Sequence, residues 1–164
     1  MDRKEHYEVA FESLLRQKAI PYVAVDEAKR ALFADARLKS FDFVVYSKAQ
    51  ANRLIDVKGR KCHTNSRSRS LQNWATLDDI DDLIQWEGVF GEGFRGLLVF
   101  LYWIDPPLAA ETGMFEHNQR WYWAMAIDVR EYQIRMRRRS EKWNTVCLRT
   151  EDFKQLARPI DDWL

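Results

Sequence analysis

The spacing of apolar residues predicts that helices and strands alternate along this chain. Residues 5–18 follow the helical i, i+3, i+4, i+7 pattern, with Tyr7, Phe11 and Leu14 on one side, and Pro21 ends that helix. Short runs rich in β-branched and aromatic side chains come next and predict strands. These runs are 21–25, 41–46, 54–58, 97–104, 114–116, 121–126 and 144–148.

Capping signals predict three further helices. Thr76, with Asp79 three positions later, matches a capping box, and Asp128 can cap a helix that runs through Met136. A last helix is predicted from Thr150. The run 97–104 is continuously apolar, which is typical of a strand buried on both faces.

The remaining segments complete the predicted architecture. The alanine-rich residues 26–35 fit a short helix or a loop, and the polar residues 59–70 predict a flexible loop. No repeat or linker divides residues 1–164, so a single domain is expected. The order of elements predicts an α/β sandwich with a mixed sheet.

Composition and charge narrow the class of protein. Hydrophobic residues make up 46% and charged residues 31% of the chain, as in ordinary soluble domains. The net charge of +1 gives no global basic field. Cys62 and Cys147 form neither a disulfide framework nor a zinc motif. The chain shows no signal-peptide pattern and no apolar run long enough for a bilayer, so a cytoplasmic location is the default expectation.

Two acids stand inside apolar strand runs, where burial of an uncompensated charge is costly. These are Asp42, and Asp56 with Lys58 two positions on. The period of a strand places Asp56 and Lys58 on one face. Two carboxylates can hold a divalent cation that activates water against phosphorus, and a lysine can orient that water or stabilise the developing charge. The alternative is a pair of solvated acids beside a surface lysine.

The arrangement of these motifs resembles the PD-(D/E)xK nuclease superfamily. A helix with a glutamate, a strand with Asp42, a strand with Asp56-x-Lys58 and then a helix is most similar to the small archaeal Holliday-junction resolvases and restriction-endonuclease-like domains. The resemblance covers about residues 5–104. It implies a restriction-endonuclease-like three-layer sandwich, a mixed central β-sheet flanked by helices. Residues 105–164 match no pattern of the family and are expected to extend the sheet and add helices.

The resemblance also implies a role for individual residues. Asp42 matches the first aspartate of the motif, Asp56 the second acid and Lys58 its lysine, while Glu8 matches a glutamate of the first helix, with Glu12 as the alternative. Glu8, Asp42 and Asp56 would then hold Mg²⁺ or Mn²⁺, and Lys58 would assist the water that cuts a DNA phosphodiester. The chain departs from the pattern in two places, because no proline precedes Asp42 and the second acid is Asp rather than Glu.

Basic residues after Lys58 suggest contacts to a phosphate backbone, although a solvated loop would look the same. The candidates are Arg60, Lys61, Arg67 and Arg69, and the resemblance adds Gln72 on the following helix. A second basic run, 135–139, fits either a phosphate-binding patch or a solvated helix end. The aromatic residues 121–123 fit a core strand better than a base-stacking surface.

Several alternatives stay open at the level of sequence. The chain is either a Mg²⁺-dependent nuclease acting on DNA or an inactive nuclease-fold domain that binds nucleic acid or a protein partner. The choice between DNA and RNA is open, and so is a homodimer, which small nucleases that cut two strands often form.

Overall fold

The computed structural model describes residues 5–25, 38–48, 50–64, 71–107 and 111–164. The predicted helices are present, and the Thr76–Asp79 capping box begins the second of them. The segment 26–35, predicted as a short helix or a loop, lies outside the described residues. The helices are α1 (Glu5–Gln17), α2 (Leu77–Phe90), α3 (Val129–Arg135) and α4 (Thr150–Leu156), and a 3-10 turn follows at Ile160–Asp162.

Each predicted apolar run contains a strand. The strands are β1 (Tyr22–Ala24), β2 (Phe43–Val45), β3 (Asn52–His63), β4 (Ala75–Thr76), β5 (Phe94–Asp105), β6 (Met114–His117), β7 (Arg120–Asp128), β8 (Arg137–Ser140), β9 (Thr145–Cys147) and β10 (Arg158–Pro159). Of these, β3, β5, β6 and β7 are longer than their runs, β1, β2 and β9 are shorter, and β4, β8 and β10 were not predicted. The predicted turn near Asn118 and Gln119 joins β6 to β7, and both residues have positive φ angles.

Among the described residues, the strands form a large mixed sheet and a small antiparallel one. The large sheet has the order β1-β2-β3-β5-β7-β10, with β6 also paired to β7, and the small sheet has the order β4-β9-β8. Strands β3 and β5 are parallel along their whole length, from Asn52 opposite Phe94 to His63 opposite Asp105. The other pairs are antiparallel, so the predicted mixed sheet is confirmed.

Helices cover both faces of the large sheet. One apolar core lies between the sheet and α1 and includes Phe11, Ile55 and Val99. The second lies between the sheet and the helices α2, α3 and α4 and includes Leu83 and Phe100. Strand β5 sends buried side chains into both cores, as its continuous apolar sequence predicted. The result is the three-layer sandwich expected from the sequence.

Strand β3 is much longer than its neighbour β2. The β2 ladder ends where Phe43 lies opposite Ile55, and no described strand pairs with that side of β3 beyond this point. The main chain alternates direction along a strand, so the N–H and C=O groups of Val57, Gly59 and Lys61 point to this open edge. The open edge begins where the candidate acids lie.

The segment predicted as a flexible loop at 59–70 begins instead as a regular strand. Residues 59–63 belong to β3, because the parallel ladder to β5 continues along them and supplies the main-chain hydrogen bonds on that side of the strand whatever their side chains are. Residues 65–70 lie outside the described residues. The basic run was also misassigned in part, since Arg137, Arg138 and Arg139 form strand β8 and only Arg135 ends a helix.

Gly59 lets helix α1 lie directly against β3. A Cβ atom at Gly59 would lie 2.2 Å from the Cδ2 atom of Tyr7, which is far inside contact distance. Glycine is therefore required here by the close approach of the helix. This contact brings the first turns of α1, with His6 and Glu8, beside the open edge of β3.

Candidate functional site at the open edge of the sheet

Two buried carboxylates share one lysine beside the open edge. The Nζ atom of Lys58 lies 3.0 Å from Oδ2 of Asp56 and 2.9 Å from Oδ2 of Asp79. Lys39 forms an ion pair with the other carboxylate oxygen of Asp79. Asp56 and Asp79 are 7% and 6% exposed. The predicted placement of Asp56 and Lys58 on one strand face is confirmed by their contact.

Asp79 is held in place by the start of helix α2. Its carboxylate accepts a hydrogen bond from the main-chain N–H of Thr76 at 3.0 Å, and the Thr76 hydroxyl accepts one from the Asp79 N–H at 3.1 Å. This capping box fixes the carboxylate at the helix N-terminus, where the helix dipole also favours a negative charge. Asp79 is therefore a rigid anchor for the amine of Lys58.

The surroundings move the pKa values of these groups in different directions. Burial raises the pKa of the Asp56 carboxyl, although Lys58 opposes the change. Burial also acts to raise the pKa of Asp79, but Lys58 and Lys39 outweigh it and hold that pKa well below its usual range. Burial alone would lower the pKa of Lys58, but Asp56 and Asp79 raise it. Lys58 is therefore a fixed cation at neutral pH and not a base.

Asp42 closes the ladder at the point where the edge opens. Its N–H donates to the carbonyl of Ile55 at 2.8 Å, and its Oδ2 accepts from the N–H of Val57 at 2.7 Å. Asp42 thus directly precedes β2, and its carboxylate caps the first main-chain N–H of the open edge. The two acids predicted to converge are therefore both next to Val57, Asp42 through this hydrogen bond and Asp56 as its neighbour in β3.

A cavity of about 1040 Å³ runs along this edge and is large enough for a nucleotide-sized ligand. Helix α1 lines it with His6 and Glu8, β3 with Lys58, Arg60 and Lys61, and the α2 side with Lys39, Thr76 and Asp79. Among the described residues, Asp42 and Asp56 do not line the cavity. Lys58 is thus the part of the ionic network that meets Asp56 on one side and the cavity on the other.

Tryptophan rings stack with cations on two walls of the cavity. The guanidinium of Arg60 lies 4.0 Å from the ring centre of Trp74 and donates to the Trp74 carbonyl at 2.7 Å. Lys61 lies 4.2 Å from the ring centre of Trp103. Cation–π contacts of this kind hold the positive charges in fixed positions. Arg60 and Lys61 therefore place two cations along the β3 wall of the cavity, although Lys61 also pairs with Asp105 at 3.3 Å.

His6 is fixed inside the cavity by an aromatic partner. Its Nδ1 atom lies 3.0 Å from the hydroxyl of Tyr122, and its ring meets Trp103 edge-on. Burial, and then the positive charge of Arg120, lowers the pKa of His6. His6 is therefore neutral at neutral pH, and its hydrogen bond gives it a structural reason to be there.

The structure brings together part of the predicted site. Glu8 lines the cavity from α1, while Asp42, Asp56 and Lys58 surround Val57. No group of three His, Cys, Asp or Glu side chains close enough to hold a metal ion occurs in the described part of the chain. The metal site formed by Glu8, Asp42 and Asp56 therefore stays a prediction.

The predicted nucleic-acid contacts divide in the same way. Arg60 and Lys61 lie on the cavity walls, but on a strand rather than a loop. Gln72 does not lie on a helix, because α2 begins only at Leu77. Gln72 is exposed ahead of β4, and its carbonyl accepts from the hydroxyl of Tyr102 at 2.8 Å. Arg67 and Arg69 lie outside the described residues.

Two residues of the site were missed in the sequence. The sequence pattern assigned Asp79 only to the helix cap. In the structure its carboxylate also contacts Lys58 of β3. Lys39 gave no signal, since its contact with Asp79 joins segments that are distant in the chain. Both residues belong to the network that holds Lys58.

The arrangement of strands and helices matches that of a solved Holliday junction resolvase. The structure of Hjc, a Holliday junction resolvase from the archaeal hyperthermophile Archaeoglobus fulgidus, superposes with a TM-score of 0.58 over 99% of this chain and 95% of that chain. The chain therefore has a fold like that of this resolvase. The two sequences are 12% identical, so the likeness concerns the fold alone.

Other comparisons add little to this finding. No family model and no curated relative matches the chain. None of the helices in the described ranges is long and apolar enough to cross a membrane.

Proposed function

We propose that this protein is a divalent-metal-dependent nuclease that hydrolyses phosphodiester bonds in DNA. The observation that carries the proposal is the Lys58 ammonium, which is held between Asp56 and Asp79 and lines a cavity with cationic walls. The resolvase-like fold supports the same reading, because the motif residues Asp42, Asp56 and Lys58 stand together where β3 leaves its neighbour.

The cavity is suited to a phosphate backbone. Arg60 and Lys61 are held by the rings of Trp74 and Trp103 on its walls, so their charges are already in place before a ligand arrives. Fixed cations along a groove bind nucleic acid through its phosphates and release counterions. The sequence of the nucleic acid is not read by such contacts, so the proposed substrate is defined by its backbone and shape.

The carboxylates fit the donor set of a hard cation. Mg²⁺ is usually held by one or two carboxylates, with water and substrate phosphate completing its shell. Asp42 and Asp56 both lie next to Val57 at the end of the β2–β3 ladder, and Glu8 would approach from α1. When bound, Mg²⁺ or Mn²⁺ would polarise a phosphoryl oxygen and lower the pKa of a water molecule.

Lys58 would stabilise negative charge rather than accept a proton. Its pKa is raised by Asp56 and Asp79 against the effect of burial, so it stays protonated through neutral pH. A fixed cation of this kind acts on the charge that develops on phosphorus in the transition state. Asp79 is a positioning residue in this scheme, because its carboxylate holds the amine of Lys58 in place.

Cleavage of DNA tests the proposal directly. Purified protein with Mg²⁺ or Mn²⁺ should cut supercoiled plasmid or a four-way DNA junction, and Asp56→Asn should lower the rate about 10²–10³-fold. Asp78→Asn, an exposed acid beside the site, is the matched control and should cut as the wild type does. Equal rates for Asp56→Asn and wild type, with both proteins folded, would overturn the assignment.

A second function is favoured by the absence of a three-ligand metal group in the described residues. In that case the chain binds nucleic acid, or a protein partner, without cutting. Titration with Mn²⁺ separates the two functions, because a bound metal raises the melting temperature and an unbound one does not. Salt-sensitive DNA binding with no metal effect and no cleavage would select the binding domain. Light scattering would show whether the protein forms the expected homodimer.

A further inference from the structure

The hairpin of β8 and β9 carries an exposed tryptophan at its turn. Trp143 is 67% exposed. The turn is well defined, since the Trp143 N–H donates to the Ser140 hydroxyl at 3.3 Å and the Asn144 N–H donates to the Glu141 carbonyl at 3.2 Å. Asn144 has a positive φ of 49°, a conformation that asparagine tolerates well. The turn therefore holds the indole ring away from the core.

The same hairpin is strongly basic. Arg137, Arg138 and Arg139 are all exposed on β8, and Lys142 lies 5.2 Å from the ring centre of Trp143. Glu141 is the one acid between these residues and the end of the turn. A surface with this composition matches a polyanion and disfavours self-association, because two copies would bring like charges together.

The hairpin is fixed next to the cavity. Thr145 pairs with Thr76, and the Leu77 N–H donates to the carbonyl of Asn144 at 2.9 Å. The guanidinium of Arg139 lies 5.1 Å from the ring centre of Trp74, on whose ring Arg60 also stacks. The basic surface of the hairpin thus continues the cavity wall that contains Arg60.

We propose that the β8–β9 hairpin binds a single-stranded segment of nucleic acid beside the cavity. Arg137, Arg138 and Lys142 contact its phosphates, and Trp143 stacks on an unpaired base. Stacking on an aromatic side chain tolerates any base but requires that the base be unpaired. The proposal rests on the nucleic-acid binding part of the proposed function and adds a preference for substrates with unpaired nucleotides.

Binding measured in EDTA tests the hairpin without cleavage. The probes are a fluorescein-labelled oligo(dT) and a blunt DNA duplex, followed by anisotropy. Trp143→Ala should weaken oligo(dT) binding roughly tenfold and change duplex binding little, and Trp143→Phe should retain most of the affinity. Arg137→Gln should reduce the slope of log K against log salt by about 0.7 on the single strand. Arg16→Gln removes the same charge from α1 on the opposite face of the sheet and is the control.

Each result decides the matter in one direction. Wild-type binding that Trp143→Ala and Arg137→Gln leave unchanged would overturn the hairpin proposal and leave the proposed function standing. A wild type that binds the duplex but not oligo(dT) would overturn the hairpin proposal alone. A dimer that Trp143→Ala converts to a monomer would show that the hairpin is a self-interface, and would also overturn the proposal.

Discussion

Helix α2 carries two buried acids, one near each end, and each belongs to an ionic network. Asp79 near the start meets Lys58 and Lys39. Glu87 near the end accepts a hydrogen bond from the Gly96 N–H at 2.7 Å and one from the Arg130 side chain at 2.7 Å. The two acids are equally buried, at 6% exposure each. Burial and charge pairing alone therefore do not tell the two networks apart.

The cations differ. The side chain of Arg130 is 52% exposed and reaches Glu87 from solvent. Glu87 thereby connects the start of β5, through Gly96, to Arg130 of α3. The side chain of Lys58 is 15% exposed, is shared with a second acid and lines the cavity. Lys39, the second cation at Asp79, is 47% exposed and in this resembles Arg130, so the networks differ in the buried Lys58 alone. This difference is the reason for assigning chemistry to one end of α2 only.

The largest effect is expected from removing the buried cation. Lys58→Met leaves Asp56 and Asp79 buried together with a partner only for Asp79, so the free energy of unfolding should fall by about 3–5 kcal/mol at neutral pH. Urea unfolding measures the loss, and Lys48→Met on the surface is the control. Adding Asp56→Asn should restore part of the stability. If Lys58→Met alone were as stable as the wild type, Lys58 would not be what offsets the buried charges of Asp56 and Asp79.

A smaller effect is expected at the other end of the helix. Glu87→Ala leaves the buried Gly96 N–H without its acceptor and should cost about 1–3 kcal/mol of unfolding free energy. Glu92→Ala, an exposed neighbour, should change it by less than about 0.5 kcal/mol. Cleavage per folded molecule should be unchanged in both variants. A loss of cleavage with normal stability in Glu87→Ala would remove the distinction between the two networks.

The smallest effect is expected in the acid dependence of stability, because Asp56 and Asp79 act in opposite directions. The pKa of Asp79 is depressed in the folded state, so its contribution is complete above the ordinary aspartate pKa of about 3.9 and is lost as the pH falls below it. The pKa of Asp56 is raised, so protonation of Asp56 adds stability as the pH falls towards about 3.9.

Two variants separate these contributions in unfolding experiments between pH 6 and pH 2.5. Asp79→Asn should flatten the loss of stability below about pH 3.9, relative to the wild type. Asp56→Asn should instead remove the stability that the wild type gains as the pH falls from 6 towards about 3.9. If the unfolding free energies of Asp79→Asn and the wild type fell equally below about pH 3.9, the lowered pKa of Asp79 would be contradicted.

Local patterns in the sequence predicted much of the fold. The capping box at Thr76 and the apolar run of β5 were recognised because each depends on residues a few positions apart. The shared face of Asp56 and Lys58 follows from the strand period alone. These features need no knowledge of distant neighbours.

The features that were missed depend on distant partners. Residues 59–63 have the polar composition of a loop, and only the ladder to β5 makes them a strand. Strand β8 looks like the end of a helix until β9 pairs with it. The contact of Lys39 with Asp79 likewise joins segments that are far apart in the chain. Local spacing cannot report such contacts, so this half of the network around Lys58 was not predicted.

The contact between Gly59 and Tyr7 limits how the candidate site can change. Most residues around the cavity can be exchanged for others at some loss of charge or packing, but at Gly59 even one methyl group would collide with the buried ring of Tyr7 on α1. The packing of α1, which carries Glu8, against β3 thus depends on the absence of a side chain. A substitution at Gly59 would alter the spacing of the site while leaving each of its charged groups intact.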